Sequence, residues 1–154
     1  MHDQNKVITG VFLDLSKAFD AIDHQILFYK LERYGIRGVA LQWIMSYFEN
    51  RKQFVQYNNV SSSVNTITCG VPQGSILGPL FFIFYINDLP NALRFAELLL
   101  FVDDTSIYYY HKDPKILINV LNDELRNVDC WMKANKLSSS YPGKSLGTRL
   151  INSL

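Results

Sequence analysis

Three acidic residues stand where two predicted strands end. Asp14 closes the apolar segment 6–13, and the adjacent Asp103 and Asp104 follow the apolar run 97–102. Aspartate is seldom buried unless it is paired or bound to a metal, and adjacent carboxylates repel each other. If the two strands are neighbours, the carboxylates converge at one edge of the sheet, where Mg2+ would remove the repulsion by taking oxygen ligands. Two such ions about 4 Å apart stabilise the attacking and leaving oxygens of a displacement together.

The adjacent acids alone have a simpler interpretation. Aspartate is a common β-turn residue, so the pair Asp103–Asp104, taken by itself, favours a turn over a metal site. The choice between a turn and a metal site therefore depends on the other motifs of the chain.

A glycine- and proline-rich loop, CGVPQGSILGP at 69–79, is the second segment that could do chemistry. Its glycines, at positions 70, 74 and 78, would let the backbone approach a ligand closely. Ser75 has a structural alternative, because a serine just ahead of an apolar helix is a common N-cap. The two roles are compatible.

The elements that must position these residues follow from the hydrophobic pattern. Strands are predicted where β-branched and apolar residues run together, and helices where apolar residues recur every three or four positions. The predicted elements are a strand at 6–15, helices at 22–34 and 39–49, a hairpin at 51–58 and 63–68, an apolar helix ending near 87–90, strands at 97–102 and 106–110, and a helix from Pro114. This order predicts an α+β fold, a mixed sheet with helices packed on one face.

Three local expectations accompany this layout. The first strand is mostly apolar, which suits burial on both of its faces. The last helix is amphipathic, with an apolar stripe formed by Ile118, Leu121, Leu125, Val128 and Met132. The periodicity is lost after Leu137, so residues 1–137 are predicted to form the domain and 138–154 an irregular, disordered tail.

Composition limits the class of protein. Hydrophobic residues make up 48% of the 154 residues, so a folded domain is expected, and the net charge of +1 neither supports nor excludes a nucleic-acid partner. Cys69 and Cys130 are predicted to be buried free thiols in a reducing compartment. No signal peptide opens the chain, so the expected location is intracellular, in the nucleus or the cytoplasm. The longest apolar run, 76–86, is shorter than the about 20 residues of a membrane helix.

Three sequence blocks occur in order along the chain: FLDLSKAFDAIDH at 12–24, GVPQGSILGPLFFIFYINDLP at 70–90 and FVDDT at 101–105. Together they resemble the central motifs of reverse transcriptases, in particular those of non-LTR (LINE-type, jockey-like) retrotransposons. WMKANKLS at 131–138 is similar to the start of that family's next motif. The resemblance implies the polymerase palm, a sheet with helices on one face and acids at its strand ends, and it favours the metal site over the turn.

The resemblance also implies roles for individual residues. The chain would be an RNA-directed DNA polymerase that transfers a nucleotide from a dNTP to a primer 3′-hydroxyl, with an RNA template and a DNA primer as partners. Asp14, Asp103 and Asp104 would be catalytic and would bind two Mg2+ ions, with Mn2+ as the alternative metal. The implied nucleotide-binding residues are Leu15, Ser16, Lys17, Ala18, Phe19, Gln73 and Gly74.

Within this set, the backbone amides of 15–18 would face the triphosphate, and Gln73 would contact the template and the nucleotide. Phe19 would exclude the 2′-hydroxyl of ribonucleotides by a steric clash, which needs no hydrogen bond. Outside such a motif, Phe19 would be interpreted as a core aromatic residue.

The resemblance covers residues 7–138 and departs from the family's pattern beyond them. Family members carry fingers before the first acidic strand and a thumb after the fourth motif, and Lys144 stands about one position out of register with that motif's lysine. The sequence is therefore expected to be a fragment that covers the palm, without full fingers or a thumb. The alternative function is a catalytically inactive palm remnant or interaction module, because the absent parts supply much of the positioning that the chemistry needs.

Overall fold

The structure is a computed structural model that describes residues 7–101 and 104–138. Its helices and strands, in chain order, are β1 (Val7–Asp14), α1 (His24–Arg33), α2 (Gly38–Phe48), β2 (Lys52–Gln53), β3 (Gln56–Tyr57), β4 (Val60–Ser61), β5 (Asn65–Thr66), α3 (Leu77–Ile86), a short 3₁₀ helix (Leu89–Ala92), β6 (Glu97–Phe101), β7 (Asp104–His111) and α4 (Pro114–Ala134). The predicted α+β fold is confirmed. Apart from Ser138, the predicted tail lies outside the described residues.

The described chain divides into two compact units. The first, called here the sheet unit, contains residues up to 18 and from 86 onwards; the second, the loop unit, is 19–85. The prediction of a single domain over 1–137 stays a prediction. No helix among the described residues is long and apolar enough to cross a membrane.

The sheet unit is built on three antiparallel strands in the order β1–β7–β6. The central strand β7 pairs with β1 along the whole of β1, from Val7 opposite His111 to Asp14 opposite Asp104. Helix α4 packs against β7. In β1 the residues Val11 and Leu13 are buried while Phe12, between them, is exposed.

The expectation that β1 is buried on both faces is therefore wrong. Successive side chains of a strand point to opposite faces of the sheet, and the pattern of burial in β1 alternates accordingly. Antiparallel sheets commonly pack one face on a core and leave the other accessible, even where that face carries apolar residues such as Phe12.

Helix α4 begins at Pro114 after an N-cap, Asp113, whose carboxylate accepts a hydrogen bond from the Lys115 amide at 2.8 Å. Its buried face contains Leu117, Leu121, Glu124, Leu125, Val128 and Met132. Ile118, which was predicted to lie in this stripe, is instead 49% exposed, and Leu117 takes its place. The sequence offers both phases because 117 and 118 are both apolar, and only packing against β7 chooses between them.

Replacing Thr9 with Val is expected to raise the free energy of unfolding by about 1 kcal/mol. Thr9 is buried on the core face of β1, and its hydroxyl has no hydrogen-bond partner among the described residues. Valine has nearly the same shape without the polar atom. Urea denaturation of Thr9→Val beside Thr66→Val, an exposed strand position, measures the effect. A loss of stability in Thr9→Val would contradict the prediction.

In the loop unit, helices α1 and α2 pack together. Large buried side chains come from all three of its helices: Leu27 and Leu31 from α1, Ile44 and Phe48 from α2, and Phe81, Phe82 and Tyr85 from α3. Lys30 of α1 is also buried, and its ammonium donates to the backbone carbonyl of Tyr85 at 2.6 Å. A cation is favourable there because the unpaired carbonyls at the end of a helix carry partial negative charge.

Residues 52–66 form an interrupted hairpin instead of the two long strands predicted. Two short antiparallel pairs are nested, β3–β4 inside β2–β5. The two residues that close the inner pair, Asn58 and Asn59, both have positive φ (46° and 61°), as a two-residue type I′ turn requires. Cys69 and Cys130 are free thiols as predicted, but both are exposed, so the expectation that they are buried is wrong.

Candidate active site

Asp14 and Asp104 lie directly opposite each other at one end of the β1–β7 pair. Asp14 is the last residue of β1, Asp104 is the first residue of β7, and the two are partners in the antiparallel register. Residues that are directly opposite in such a pair place their side chains on the same face, with Cβ atoms about 4.5–5.5 Å apart. Both residues are exposed. The sheet therefore brings two of the three predicted acids together at an accessible position.

The register of the strands keeps this pair on the accessible face. Leu13 and Thr105, the neighbours of the two acids, are opposite each other and buried on the core face. A slip of the register by one residue would place the acids on the core face and the buried residues in solvent. Burial of the neighbouring side chains is thus the physical cause of the acids' position.

Asp103, the third predicted acid, lies outside the described residues. On either side of it in sequence, β6 ends at Phe101 and β7 begins at Asp104, and these two residues pair with each other. Asp104 is therefore the first residue of a strand and not part of the turn that was predicted at 103–104. Among residues 7–101 and 104–138, no group of three or more acidic, histidine or cysteine side chains is arranged to hold a metal ion.

The segment after Asp14 turns sharply away from the strand. Leu15 and Ala18 are buried, and Lys17 adopts a left-handed conformation with a φ of 50°. The amide of Ser16 donates a hydrogen bond to the carbonyl of Ser138 at 2.9 Å, so this amide is already engaged. The assignment of the amides of 15–18 to a triphosphate stays a prediction.

In the loop unit, the PQGS segment and the ring of Phe19 line an open cavity of about 530 Å3. The ring of Phe19 packs against that of Phe82, with centroids 4.9 Å apart. The lining residues are Phe19, Pro72, Gln73, Gly74, Ser75, Ile76, Gly78 and Pro79. Phe19, Gln73 and Gly74 were all predicted to bind the nucleotide, and the fold places the three around one cavity.

The glycines of this loop have different roles. A Cβ on Gly70 would lie 2.8 Å from the carbonyl oxygen of Asp20, and one on Gly78 would lie 3.0 Å from the hydroxyl oxygen of Ser75. Gly74, with a φ of 77°, would have no atom within 4 Å of its Cβ. A side chain at 70 or 78 would meet atoms of the chain itself, whereas at 74 it would meet open space. Because both Gly74 and Gly78 line the cavity, the expectation that these glycines let the backbone approach a ligand stays a prediction.

Two side chains of the loop make hydrogen bonds within the unit. The Gln73 amide donates to the carboxylate of Asp20 at 2.9 Å. The Ser75 hydroxyl oxygen accepts from the Gly78 amide at 3.0 Å and lies 2.8 Å from the Pro72 carbonyl, to which it donates. The capping role predicted for Ser75 at the start of α3 is confirmed.

A tyrosine–arginine pair beside Ser75 was not predicted to take part in this region. The guanidinium of Arg51 stacks on the ring of Tyr47, 4.6 Å from its centroid. Partial burial raises the pKa of the Tyr47 phenol, but hydrogen bonds with Ser75 and Arg51 and the charge of Arg51 outweigh it and lower the pKa. No sequence pattern indicates the contact of Tyr47, Arg51 and Ser75, because the three residues belong to separate elements.

His24 has a structural role. Its Nε2 atom lies 2.8 Å from the carbonyl oxygen of Gly70, within hydrogen-bond distance, and its ring lies 4.5 Å from that of Phe48. The contact ties the start of α1 to the residue that opens the PQGS loop.

The model of the protein family described as "Reverse transcriptase (RNA-dependent DNA polymerase)" matches residues 1–150 of the chain. The chain belongs to the reverse transcriptase family. The family assignment made from the motifs is thereby confirmed, and the α+β architecture agrees with part of a reverse transcriptase palm.

Individual proteins similar to this reverse transcriptase chain come from mobile elements of Drosophila. The chain is 29% identical to "RNA-directed DNA polymerase from mobile element jockey" of Drosophila melanogaster, over 97% of the chain and 19% of that protein. It is 30% identical to "Probable RNA-directed DNA polymerase from transposon BS" of the same species, over 85% of the chain and 15% of that protein. It is 37% identical to the jockey protein of Drosophila funebris, over 62% of the chain and 11% of that protein. The chain thus spans less than a fifth of the length of these relatives.

Proposed function

We propose that this reverse transcriptase chain supplies the metal-binding acids and part of the nucleotide site of an RNA-directed DNA polymerase. The observation that carries the proposal is the direct opposition of Asp14 and Asp104 at an exposed strand end, next to Asp103 in sequence. The proposed substrates are dNTPs, and the proposed partners are an RNA template and a DNA primer. The proposed location is intracellular, in the nucleus or the cytoplasm.

The donor atoms present fit a divalent metal. Mg2+ in phosphoryl-transfer enzymes is bound through one or two carboxylates together with phosphate oxygens, and Asp14 and Asp104 provide two carboxylates side by side. We assign Mg2+, or Mn2+ as the alternative, to Asp14, Asp103 and Asp104, as two ions. Divalent metals are general in this family. Bound Mg2+ supplies positive charge that offsets the negative charge on the reacting phosphate.

The residues of the chain itself would then orient the reactants. Asp14 and Asp104 hold their carboxylates on one face because their neighbours Leu13 and Thr105 are buried on the other. Such preorganised charges need no reorganisation during the reaction. We assign the amides of 15–18 to the triphosphate, the ring of Phe19 to the sugar, and Gln73 with Gly74 to the nucleotide, since the last three line one cavity.

A catalytically inactive palm is the second candidate function. One observation favours it: the Ser16 amide already donates a hydrogen bond to the carbonyl of Ser138. Such a chain would keep the fold and act as an interaction module.

Primer extension on an RNA template with Mg2+ tests the proposal. The full chain and Asp103→Ala are assayed side by side. Extension by the chain that is lost in the variant supports the polymerase. Absence of extension by both proteins contradicts the enzymatic activity of this chain and favours the inactive palm.

Replacing Phe19 with Val is expected to reduce the preference for dGTP over GTP by about 10- to 200-fold, the effect of changing one contact in a substrate pocket. The smaller side chain leaves room for the 2′-hydroxyl beside the PQGS loop. Titration of each nucleotide with the chain, by fluorescence or calorimetry, measures the preference. Phe95→Val, at a 68% exposed position of the sheet unit, is the control. An unchanged preference in Phe19→Val would remove Phe19 from the sugar site.

A further inference from the structure

Glu124 is a buried acidic residue within the apolar face of α4. It is 1% exposed, and the other buried residues of that face are Leu117, Leu121, Leu125, Val128 and Met132. A glutamate is seldom buried without partners, because removing the carboxylate from water is costly. A leucine would extend the apolar face at this position, so the carboxylate needs a specific reason to be there.

The carboxylate of Glu124 accepts hydrogen bonds from three successive backbone amides. Oε1 lies 3.0 Å from the Arg94 amide nitrogen, 2.6 Å from that of Phe95 and 3.4 Å from that of Ala96. Oε2 lies 3.1 Å from the Arg94 amide nitrogen and 3.4 Å from the side-chain nitrogen of Asn127. Consecutive amides that converge in this way form a concave anion site, here filled by a side chain of the same chain.

The three amides immediately precede β6, which begins at Glu97. Among the described residues, β6 lies at the edge of the three-stranded sheet and pairs with β7 alone, so pairing holds it on one side. Edge strands with one pairing partner are prone to register slips unless something else fixes them. The amides of 94–96 bond to Glu124 of α4, and α4 also packs on β7. These hydrogen bonds therefore fix the start of β6 relative to β7.

We propose that Glu124 is a positioning residue that fixes the start of β6, and with it the register of the β6–β7 pair, at whose end Asp104 lies opposite Asp14. β6 has only five residues between the Glu124 contact and its end at Phe101, which pairs with Asp104. A slip at 94–96 would therefore change the pairing of Phe101 with Asp104. The consequence for metal binding rests on the function proposed above, whereas the effect on the β6–β7 pair does not.

Two single substitutions of Glu124 separate the effect of the position of its side-chain oxygens from the effect of its charge. Glu124→Gln keeps the length of the side chain and one acceptor oxygen for the three amides. Glu124→Asp keeps the charge but withdraws the oxygens by one methylene, about 1.5 Å, out of hydrogen-bond range of amides now at 2.6–3.1 Å. If Glu124 acts by position, Gln should preserve its role and Asp should not. Asp123→Asn, at an exposed neighbouring position of α4, is the control.

Amide hydrogen exchange of the full chain, followed by NMR, tests the proposal without metal. Glu124→Asp should speed exchange at Arg94, Phe95 and Ala96, and at the β6 amides paired with β7, by about tenfold or more, while Glu124→Gln and Asp123→Asn stay close to wild type. Exchange that is unchanged in Glu124→Asp, or changed only at 94–96 and not in β6, would overturn the proposal. If Glu124→Asp does not fold, Glu124→Gln still tests the proposal. Fast amide exchange throughout β6 in Glu124→Gln would contradict the role of the acceptor oxygen.

Binding of Mn2+ to the same proteins, followed by electron paramagnetic resonance, extends the test to the acids. A displaced β6 would change the pairing of Phe101 with Asp104, so Glu124→Asp should bind Mn2+ more weakly than the wild-type chain and Glu124→Gln should not. If the wild-type chain binds no Mn2+, the proposed metal function fails while the exchange data still decide the role of Glu124 in the β6–β7 pair. If Mn2+ affinity is unchanged although β6 exchanges faster, positioning of the acids by Glu124 is refuted.

Discussion

Asp14→Asn should abolish the stabilisation of the chain by divalent metal and lower primer extension roughly 100- to 1000-fold, the usual effect of removing one preorganised electrostatic contact from an active site. Asparagine has the size of aspartate but lacks its charge, so it leaves Asp104 without the second carboxylate opposite it. A metal at 100 times its dissociation constant stabilises the folded state by about 2.7 kcal/mol. Thermal unfolding with and without Mg2+ therefore shows the loss directly.

The same substitution should change the metal-free stability little. Asp14 is exposed, and substitutions at exposed positions usually alter the free energy of unfolding within about 0.5 kcal/mol. Removing one of two directly opposed like charges also relieves their repulsion. A loss of metal response in a protein of normal metal-free stability identifies a site, whereas a general loss of stability would indicate a structural role for Asp14.

Asp123→Asn provides the matched control for Asp14→Asn. It makes the same change of charge on α4, where Asp123 is exposed and forms an ion pair with Arg126 at 2.7 Å. An exposed ion pair of this kind contributes little to stability, so the control should keep both its stability and its response to Mg2+. If Asp14→Asn also keeps the response to Mg2+, Asp14 does not bind the metal and the proposed site is wrong.

The order and the type of the main helices and strands could be predicted from the sequence, because their local hydrophobic patterns are strong. The helical spacing of α4 and the proline in its first turn, Pro114, are local signals, and the apolar run ending at Asp14 marks β1. The opposition of Asp14 and Asp104 was expected only on the condition that their strands are neighbours. That condition is wrong as stated, because β7 lies between β1 and β6, the strand at 97–101. The two acids still meet, since Asp104 belongs to β7, which pairs directly with β1.

Features that depend on distant partners could not be predicted. Glu124 is not among the residues of the apolar stripe predicted for α4, and its partners are backbone amides about 30 residues earlier, which carry no sequence signature. The predicted apolar stripe of α4 is wrong at Ile118 for a related reason. Leu117 and Ile118 are both apolar, and either one fits the helical spacing. Exposure of Phe12 likewise follows from which face of the sheet α4 covers, and composition does not specify that.

The loop glycines show the same limit. Spacing identified Gly70, Gly74 and Gly78 as unusual, but it could not say what would meet a side chain at each position. The distances separate them: backbone atoms of Asp20 crowd Gly70, whereas Gly74 faces open space. A glycine can therefore be needed because another part of the chain packs against it or because a ligand does. A single sequence does not distinguish these two cases.

Replacing Gly70 with Ala should lower the free energy of unfolding by about 3 kcal/mol or more, the sum of a left-handed conformation that alanine disfavours and an overpacked site. Gly70 has a φ of 83°, and its Cβ would lie 2.8 Å from the oxygen and 2.9 Å from the Cα of Asp20. These are backbone atoms, which cannot rotate away as a flexible side chain could. Urea denaturation measures the loss.

Little relaxation is available around Gly70, because hydrogen bonds hold both segments together. The Gly70 amide donates to the carbonyl of Ile22 at 2.7 Å, and the next amide, that of Val71, donates to the carbonyl of Phe19 at 2.9 Å. His24 adds a contact to the carbonyl of Gly70 at 2.8 Å. Moving Asp20 away from a new methyl group would therefore break several of these bonds.

Gly35→Ala is the control that separates conformation from crowding. Gly35 also has a positive φ, 93°, but no atom lies within 4 Å of its Cβ position, so alanine there should cost only about 1–2 kcal/mol. The Val71 amide, next to the PQGS segment, bonds to the backbone carbonyl of Phe19, whose ring lines the cavity. Gly70→Ala should therefore also weaken nucleotide binding, and Gly35→Ala should not. Equal losses of stability in the two variants would show that φ alone, and not the approach to Asp20, requires glycine at position 70.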